Sequence, residues 1–155
     1  MGDHYKNMET SVLHDGYTST EHGGSLSVPI YQTSTFTFDS AEQGERRFAG
    51  EEGGYIYSRL ANPTVEVLEK KMAALEGAEA AIGFGSGMAA VSAVLLASSK
   101  TGDHIVCSQG LYGCTFGLLQ LMKEKYRIDH SFSLLQTEEE LRDVIRPETT
   151  CIYIE

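Results

Sequence analysis

The sequence predicts an α/β fold, a parallel-rich sheet with crossover helices behind an extended N-terminal arm, and three observations carry that expectation. From residue 80 onward, short apolar runs alternate with helical patterns: 80–84, 88–97, 105–107, 118–125, 128–134, 137–145 and 151–154. Strands alternating with helices close into parallel sheets, because each crossover helix returns the chain to the same end. Upstream, Ser-Leu-Ser-Val-Pro-Ile-Tyr-Gln-Thr-Ser-Thr-Phe-Thr-Phe at 25–38 is rich in β-branched and aromatic residues. Pro29 removes a ladder donor there, so the stretch is an edge strand or an arm rather than a central strand. Between the first apolar run and the first helical pattern lies Gly83-Phe84-Gly85-Ser86-Gly87-Met88-Ala89-Ala90, a glycine-rich turn that opens a helix.

Taken in order, residues 1–24 are polar, with His4, His14 and His22 at no metal-ligand spacing. These histidines are expected to be solvated or paired. Residues 40–48 form a short helix, and Gly50-Glu51-Glu52-Gly53-Gly54 a mobile loop. Val65, Leu68, Met72 and Leu75 recur at spacings of three and four, which predicts an amphipathic helix. Asn62 can cap it, Pro63 suits its first position, and Gly77 can end it. Thr137, followed by Glu138, Glu139 and Glu140, opens the last helix with acid in its first turn, where the dipole favours it. The final apolar run, Cys151-Ile152-Tyr153-Ile154, is followed by no helix that could cover its second face. Parallel sheets need both faces covered, so the chain is expected to be the front part of a larger protein.

Composition narrows the partners. The 155 residues suit one domain, and the formal charge is −10. The nearest basic pairs, Arg46-Arg47 and Lys70-Lys71, are flanked by glutamates, which argues against a nucleic acid or an anionic membrane surface. No apolar run approaches the roughly 20 residues of a membrane span, and residues 1–12 hold no signal-like apolar core. Cys107, Cys114 and Cys151 are odd in number and lack C-x-x-C spacing, so neither a disulfide framework nor a zinc site is indicated. A soluble chain in a reducing cytoplasm is the expectation.

The glycine turn would aim backbone N–H groups and the positive end of a helix dipole at one point, which suits a phosphate. Close helix–strand packing is the equally good structural use of Gly83, Gly85 and Gly87. Met88 stands where a dinucleotide fold places its third glycine, and the P-loop's Gly-Lys-Ser/Thr is missing. Arg59 offers a planar fork for phosphate oxygens and Tyr57 a phenol, two residues apart and so on one face if the segment is extended. Tyr112, after the 105–107 strand, could stack on a flat ring or be an ordinary half-buried tyrosine.

Four motifs in order make the sequence recognisable. Tyr-Ser-Arg-Leu-Ala-Asn-Pro-Thr at 57–64, Leu-Glu-Gly at 75–77, Gly-Ser-Gly-Met-Ala-Ala at 85–90 and Tyr-Gly-Cys-Thr at 112–115 together resemble the pyridoxal-phosphate (PLP) enzymes of cysteine and methionine metabolism. The resemblance runs from Ser25 to Glu155. It implies a fold-type I PLP-dependent transferase-like architecture, with residues 1–62 an arm and interface segment and 63–155 the first part of the PLP-binding large domain. Ser86, Gly87 and Met88 match the turn that holds the cofactor phosphate. Tyr57 and Arg59 match a pair that reaches the phosphate of a neighbouring subunit, implying a homo-oligomer with shared active sites, a tetramer built as a dimer of dimers. Tyr112 matches the tyrosine stacked on the pyridine ring, a candidate acid toward the leaving sulfur. Cys114, where many relatives have glycine, is similar to methionine γ-lyase.

The implied activity is carbon–sulfur bond cleavage in a sulfur amino acid, by α,γ-elimination of methionine. Cleavage of cystathionine and sulfhydrylation of a homoserine ester are its neighbours within the family. A non-catalytic phosphate-binding α/β module is the alternative of another class. The family's Schiff-base lysine and pyridinium-binding aspartate lie beyond the equivalent of Glu155, and Lys6, Lys70, Lys71, Lys100, Lys123 and Lys125 match neither in position nor in context. The chain by itself is therefore expected to be inactive.

Overall fold

A computed structural model describes residues 7–155. The chain forms two compact units, one ending at Gly83 and the other spanning Phe84–Glu155. His4 lies outside the described residues.

In the first unit, Asn7 caps a short helix, α1 (Met8–His14), by accepting the Thr10 N–H at 3.0 Å. The polar text had concealed this helix. The chain then turns at Gly16 (φ 75°), where a Cβ would stand 2.6 Å from the backbone nitrogen of Lys71. Only glycine lets α1 lie so close to the helix that carries Lys71, and Lys71 Nζ closes the contact by donating to the carbonyls of Val12 (2.7 Å) and Leu13 (3.2 Å). His22 is paired, stacked on Tyr17 and 3.2 Å from the Tyr31 hydroxyl. The expected arm at 25–38 forms no regular ladder among the described residues. A single antiparallel bridge, Thr35 with Tyr57, ties it to the segment that follows the glycine loop.

Helix α2 (Ala41–Ala49) starts at Ser40, whose side chain accepts the Gln43 N–H, and ends at Gly50 with φ 73°. The loop expected to be mobile is held by its charges. Glu52 accepts from Gln43 and Arg46 at 2.9 Å each, and Arg47 donates to the Tyr55 carbonyl at 3.3 Å. Helix α3 (Pro63–Glu76) begins and ends as its residue types dictate, with Asn62 accepting the Thr64 N–H and Gly77 in the left-handed conformation. Its expected apolar stripe is not the face the unit buries. Val65, Leu68 and Met72 stay substantially exposed, while Val67 and Ala73 are buried, because the segments packed on α3 approach from that other side.

In the second unit, α4 (Gly87–Ala97), β1 (His104–Ser108), α5 (Gly113–Leu121), β2 (Asp129–Ser133), α6 (Glu138–Val144) and β3 (Thr149–Tyr153) follow one another. The sheet order is β2-β1-β3, with both pairings parallel. Central β1 is buried at every residue, as a parallel strand covered on both faces must be. Leu95, Ile105, Cys107, Leu119, Met122 and Ile128 form the core; fully burying a Leu, Ile or Met contributes roughly 1.5–3 kcal/mol each. The segment at 80–84, expected to be a strand, makes no ladder among the described residues. Its Gly83 N–H instead donates to the Glu69 carboxylate at 2.7 Å. The helix expected at 118–125 starts at Gly113 and closes in a π-helical turn, Met122–Tyr126.

A polar brace crosses the amino-terminal edge of the sheet. His104, 1% exposed, places Nδ1 2.8 Å from Thr149 Oγ1 on β3 and Nε2 3.0 Å from Ser131 Oγ on β2. Arg146 donates to that same Ser131 hydroxyl at 3.0 Å and to Asp129 at 2.7 Å. Burial, then Arg146, pushes the His104 imidazole below its ordinary value; His130 adds to this while Asp129 and Glu148 oppose it. Burial, then Lys123, moves His130 the same way. An unfolded chain takes up protons at these histidines as pH falls through about 6.5, whereas the folded chain resists, so stability is full above that value and falls below it. Urea unfolding should therefore show a midpoint that declines between about pH 7 and pH 5, and His104→Asn should flatten part of the decline. Parallel profiles for the two proteins would remove His104 from this account.

Candidate active site

The glycine turn opens α4. Ser86 is extended (φ −161°, ψ 159°) and caps the helix, its Oγ accepting the Ala89 N–H at 3.1 Å. The Ser86 carbonyl accepts from Ala89 and Ala90. The N–H groups of Gly87 and Met88 have no acceptor among the described residues. Two free donors at the positive end of a helix dipole make an anion site of the kind a phosphate takes. The glycines separate the two readings of this turn. A Cβ at Gly85 or Gly87 would meet no atom within 4 Å, whereas at Gly83 it would touch Val65 Cγ1 at 3.4 Å. Of the three, Gly83 alone is held in contact, while Gly85 and Gly87 face open space beside the two donors' segment, which leaves room for a cofactor phosphate.

The Met88 side chain leads to the second half of the site. Its sulfur accepts from Thr115 Oγ1 at 3.8 Å, and Thr115 is completely buried on the first turn of α5. Thr115 thus holds the starts of α4 and α5 side by side, a role its place in the Tyr-Gly-Cys-Thr motif did not reveal. Tyr112 stands at the cap position of α5, beyond the carboxyl end of β1, with its side chain 59% exposed. Its N–H donates to the Glu155 carboxylate at 2.9 Å, and the Glu155 N–H to Ser108 Oγ at 3.4 Å. Glu155, just past β3, was likewise invisible as a site residue. Cys114 lies on the first turn of α5 rather than in the preceding loop, and it is exposed. Its thiol is the leading cause that raises the Tyr112 phenol above its ordinary value, with Glu155 adding to it. The phenol therefore keeps its proton through neutral pH.

Tyr57 and Arg59 belong to the first unit and form a pair for a reason other than strand alternation. The chain is not extended past Tyr57. The N–H groups of Leu60 and Ala61 fold back onto the Tyr57 carbonyl at 2.8 and 3.1 Å, which carries the Arg59 guanidinium over the Tyr57 ring, 5.4 Å from its centroid. That cation–π geometry borders an apolar groove of about 440 Å³, lined also by Phe36, Phe38, Phe48 and Ile56. Among the described residues, no cluster of metal-ligating side chains is present and no helix is long and apolar enough to cross a membrane.

The parallel sheet with crossover helices, with an open glycine-rich helix start at the carboxyl ends of its strands, has the fold-type I architecture of PLP-dependent enzymes. The Cys/Met metabolism PLP-dependent enzyme family model matches residues 9–155, and the chain belongs to that family. It is 48% identical over 146 residues to an L-methionine gamma-lyase of Fusobacterium nucleatum, covering 94% of this chain and 37% of that enzyme. A sulfhydrylase of Fusarium oxysporum is 43% identical over 151 residues, covering 97% of this chain and 35% of that protein. An O-acetylhomoserine (thiol)-lyase structure from Campylobacter jejuni, which contains a pyridoxyl-lysine phosphate residue, superposes with a TM-score of 0.86 at 35% identity, over 96% of this chain and 36% of that one. The chain thus spans little more than a third of the length of the relatives it matches.

The cradle makes a discriminating prediction. Gly87→Ala should fold with unchanged or slightly raised stability, since alanine is the better helix former by up to about 1 kcal/mol. In the full-length protein it should nonetheless weaken PLP binding, because its methyl group enters the space in front of the donors. Unchanged affinity, measured by equilibrium dialysis, would show that this space is not the phosphate site.

Proposed function

We propose that the full-length protein to which this chain belongs is a PLP-dependent carbon–sulfur lyase that converts L-methionine and water to methanethiol, ammonia and 2-oxobutanoate. The observation that carries the proposal is the pairing of the open cradle at residues 85–88 with Tyr112 and Cys114 through the buried contact between Met88 and Thr115. The N–H groups of Gly87 and Met88 hold the phosphate, and Ser86 fixes their direction by capping α4. Tyr112 would stack on the cofactor ring, and its exposed phenol would supply the proton that a departing thiolate needs. Cys114 flanks that phenol and borders the substrate side chain. When bound, PLP supplies an electron-poor ring that takes up the charge left at the substrate's Cα.

Tyr57 and Arg59 reach the phosphate of a neighbouring subunit, which makes the protein a homo-oligomer with shared active sites. Their mutual stacking prearranges a guanidinium fork for phosphate oxygens. Likeness to methionine gamma-lyases over 94% of the chain supports the elimination. The likeness to a sulfhydrylase and to an O-acetylhomoserine (thiol)-lyase supports a second reading, replacement at Cγ of a homoserine ester.

Three measurements test these assignments in the full-length protein. Cys114→Gly should lower methionine elimination more than cystathionine cleavage, compared through kcat/KM; equal losses would remove Cys114 as a determinant of substrate choice. Arg59→Ala should weaken PLP retention by about 1.5–3 kcal/mol, the scale of a charge-assisted hydrogen bond. Release of methanethiol, set against sulfide incorporation into a homoserine ester, separates elimination from replacement.

A further inference from the structure

Arg59 sits in a turn whose position is set by a side chain outside it. Asn62 is 8% exposed. Its Oδ1 accepts the Thr64 N–H at 2.9 Å, the ordinary capping bond of α3. Its Nδ2 does something a cap does not require, donating to Ser58 Oγ at 2.9 Å and to the Tyr31 carbonyl at 3.0 Å. Ser58 in turn donates through its hydroxyl to the Thr33 carbonyl and through its N–H to the Ser34 carbonyl, the latter at 2.9 Å. Next along the chain, Thr64 Oγ1 donates to the Pro29 carbonyl and accepts the Tyr31 N–H, both at 2.9 Å. The turn at residues 57–61 is therefore anchored at Ser58 to the arm on one side and to the start of α3 on the other. Arg59 itself makes no hydrogen bond among the described residues; its guanidinium rests over the Tyr57 ring.

We propose that Asn62 is a positioning residue: its amide nitrogen, acting through Ser58, fixes the turn that presents Tyr57 and Arg59. The inference rests on the proposed role of Arg59 at a phosphate, and the two are separable by experiment. Nothing about capping demands asparagine, since aspartate caps equally well. Aspartate would keep the Thr64 bond but lose both Nδ2 donors and set its second oxygen against the Tyr31 carbonyl. Ser58→Ala removes the other end of the same bond without touching the cap.

The test compares Asn62→Asp, Ser58→Ala and Arg59→Ala in the full-length protein by two readouts. The first is the rate of tryptic cleavage after Arg59, mapped by mass and measured on all but the Arg59 variant, which has lost the site. The second is PLP retention by equilibrium dialysis. Losing the Asn62–Ser58 bond, which both Asn62→Asp and Ser58→Ala remove, should speed cleavage after Arg59 and weaken PLP retention by about tenfold in each. Combining the two substitutions should cost less than the sum of the two, because the Asn62–Ser58 bond is shared while the bonds to the Tyr31 and Thr33 carbonyls are lost separately. Unchanged cleavage in both variants would overturn the inference, and so would unchanged PLP retention in both while Arg59→Ala loses it. Faster cleavage in both, with PLP retention unchanged in all three variants, would support the hold of Asn62 on the turn and overturn the phosphate role of Arg59. Should Asn62→Asp fail to fold, Ser58→Ala carries the test alone.

Discussion

The arrangement of the second unit depends on the complete burial of β1. A parallel strand flanked on both edges and covered on both faces can be entered and left only through connections that return the chain to the same end. Helix α5 does this between β1 and β2, and α6 does it between β2 and β3, crossing past β1. The consequence is directional. The carboxyl ends of the strands share one edge with the start of α5, and the contact of Met88 with Thr115 brings the start of α4 there too. Free N–H groups, a helix dipole and an aromatic side chain converge because a buried central strand admits few other ways to route the chain.

The two edges of this sheet meet opposite electrostatic demands. At the amino ends, polar groups are paired within the unit: His104 bridges Thr149 and Ser131, and Lys123 and Arg146 neutralise Asp129, holding its carboxyl well below the ordinary range. At the carboxyl ends, polarity is left open, with donors at Gly87 and Met88 that nothing in the described chain accepts. A protein binds an anion where it leaves donors unpaired and gains stability where it pairs them. The separation of these tasks lets the sheet be firm at one edge and receptive at the other.

The first unit uses a different device. Its described residues form no sheet, and its longest helix buries few side chains, so its order comes from side chains that bond to backbone across long stretches of sequence. Asn62, Thr64, Ser58 and Lys71 each reach carbonyls or amides on segments remote from their own. Such bonds contribute about 1 kcal/mol each, enough to select one path for an extended arm that regular secondary structure does not hold.

Much of the fold is legible in the chain itself, because local chemistry dictates it. Asn62, Pro63 and Gly77 bound α3, Ser40 and Gly50 bound α2, and the apolar runs around Ile105 and Cys151 mark parallel strands. The cradle was legible as a glycine-rich helix start, and the four motifs named the family that the comparisons bear out. Periodicity alone misjudged α3, whose stripe of Val65, Leu68 and Met72 stays exposed, and took residues 80–84 for a strand, since a strand exists only where a partner supplies its ladder. Tertiary structure alone decided that Gly85 and Gly87 face open space while Gly83 packs. It decided that Arg59 meets Tyr57 through a turn, and that Thr115 and Asn62 hold the pieces in place. Caps and turns depend on neighbours in sequence, whereas open space, burial and cross-segment bonds depend on which remote segments arrive beside them.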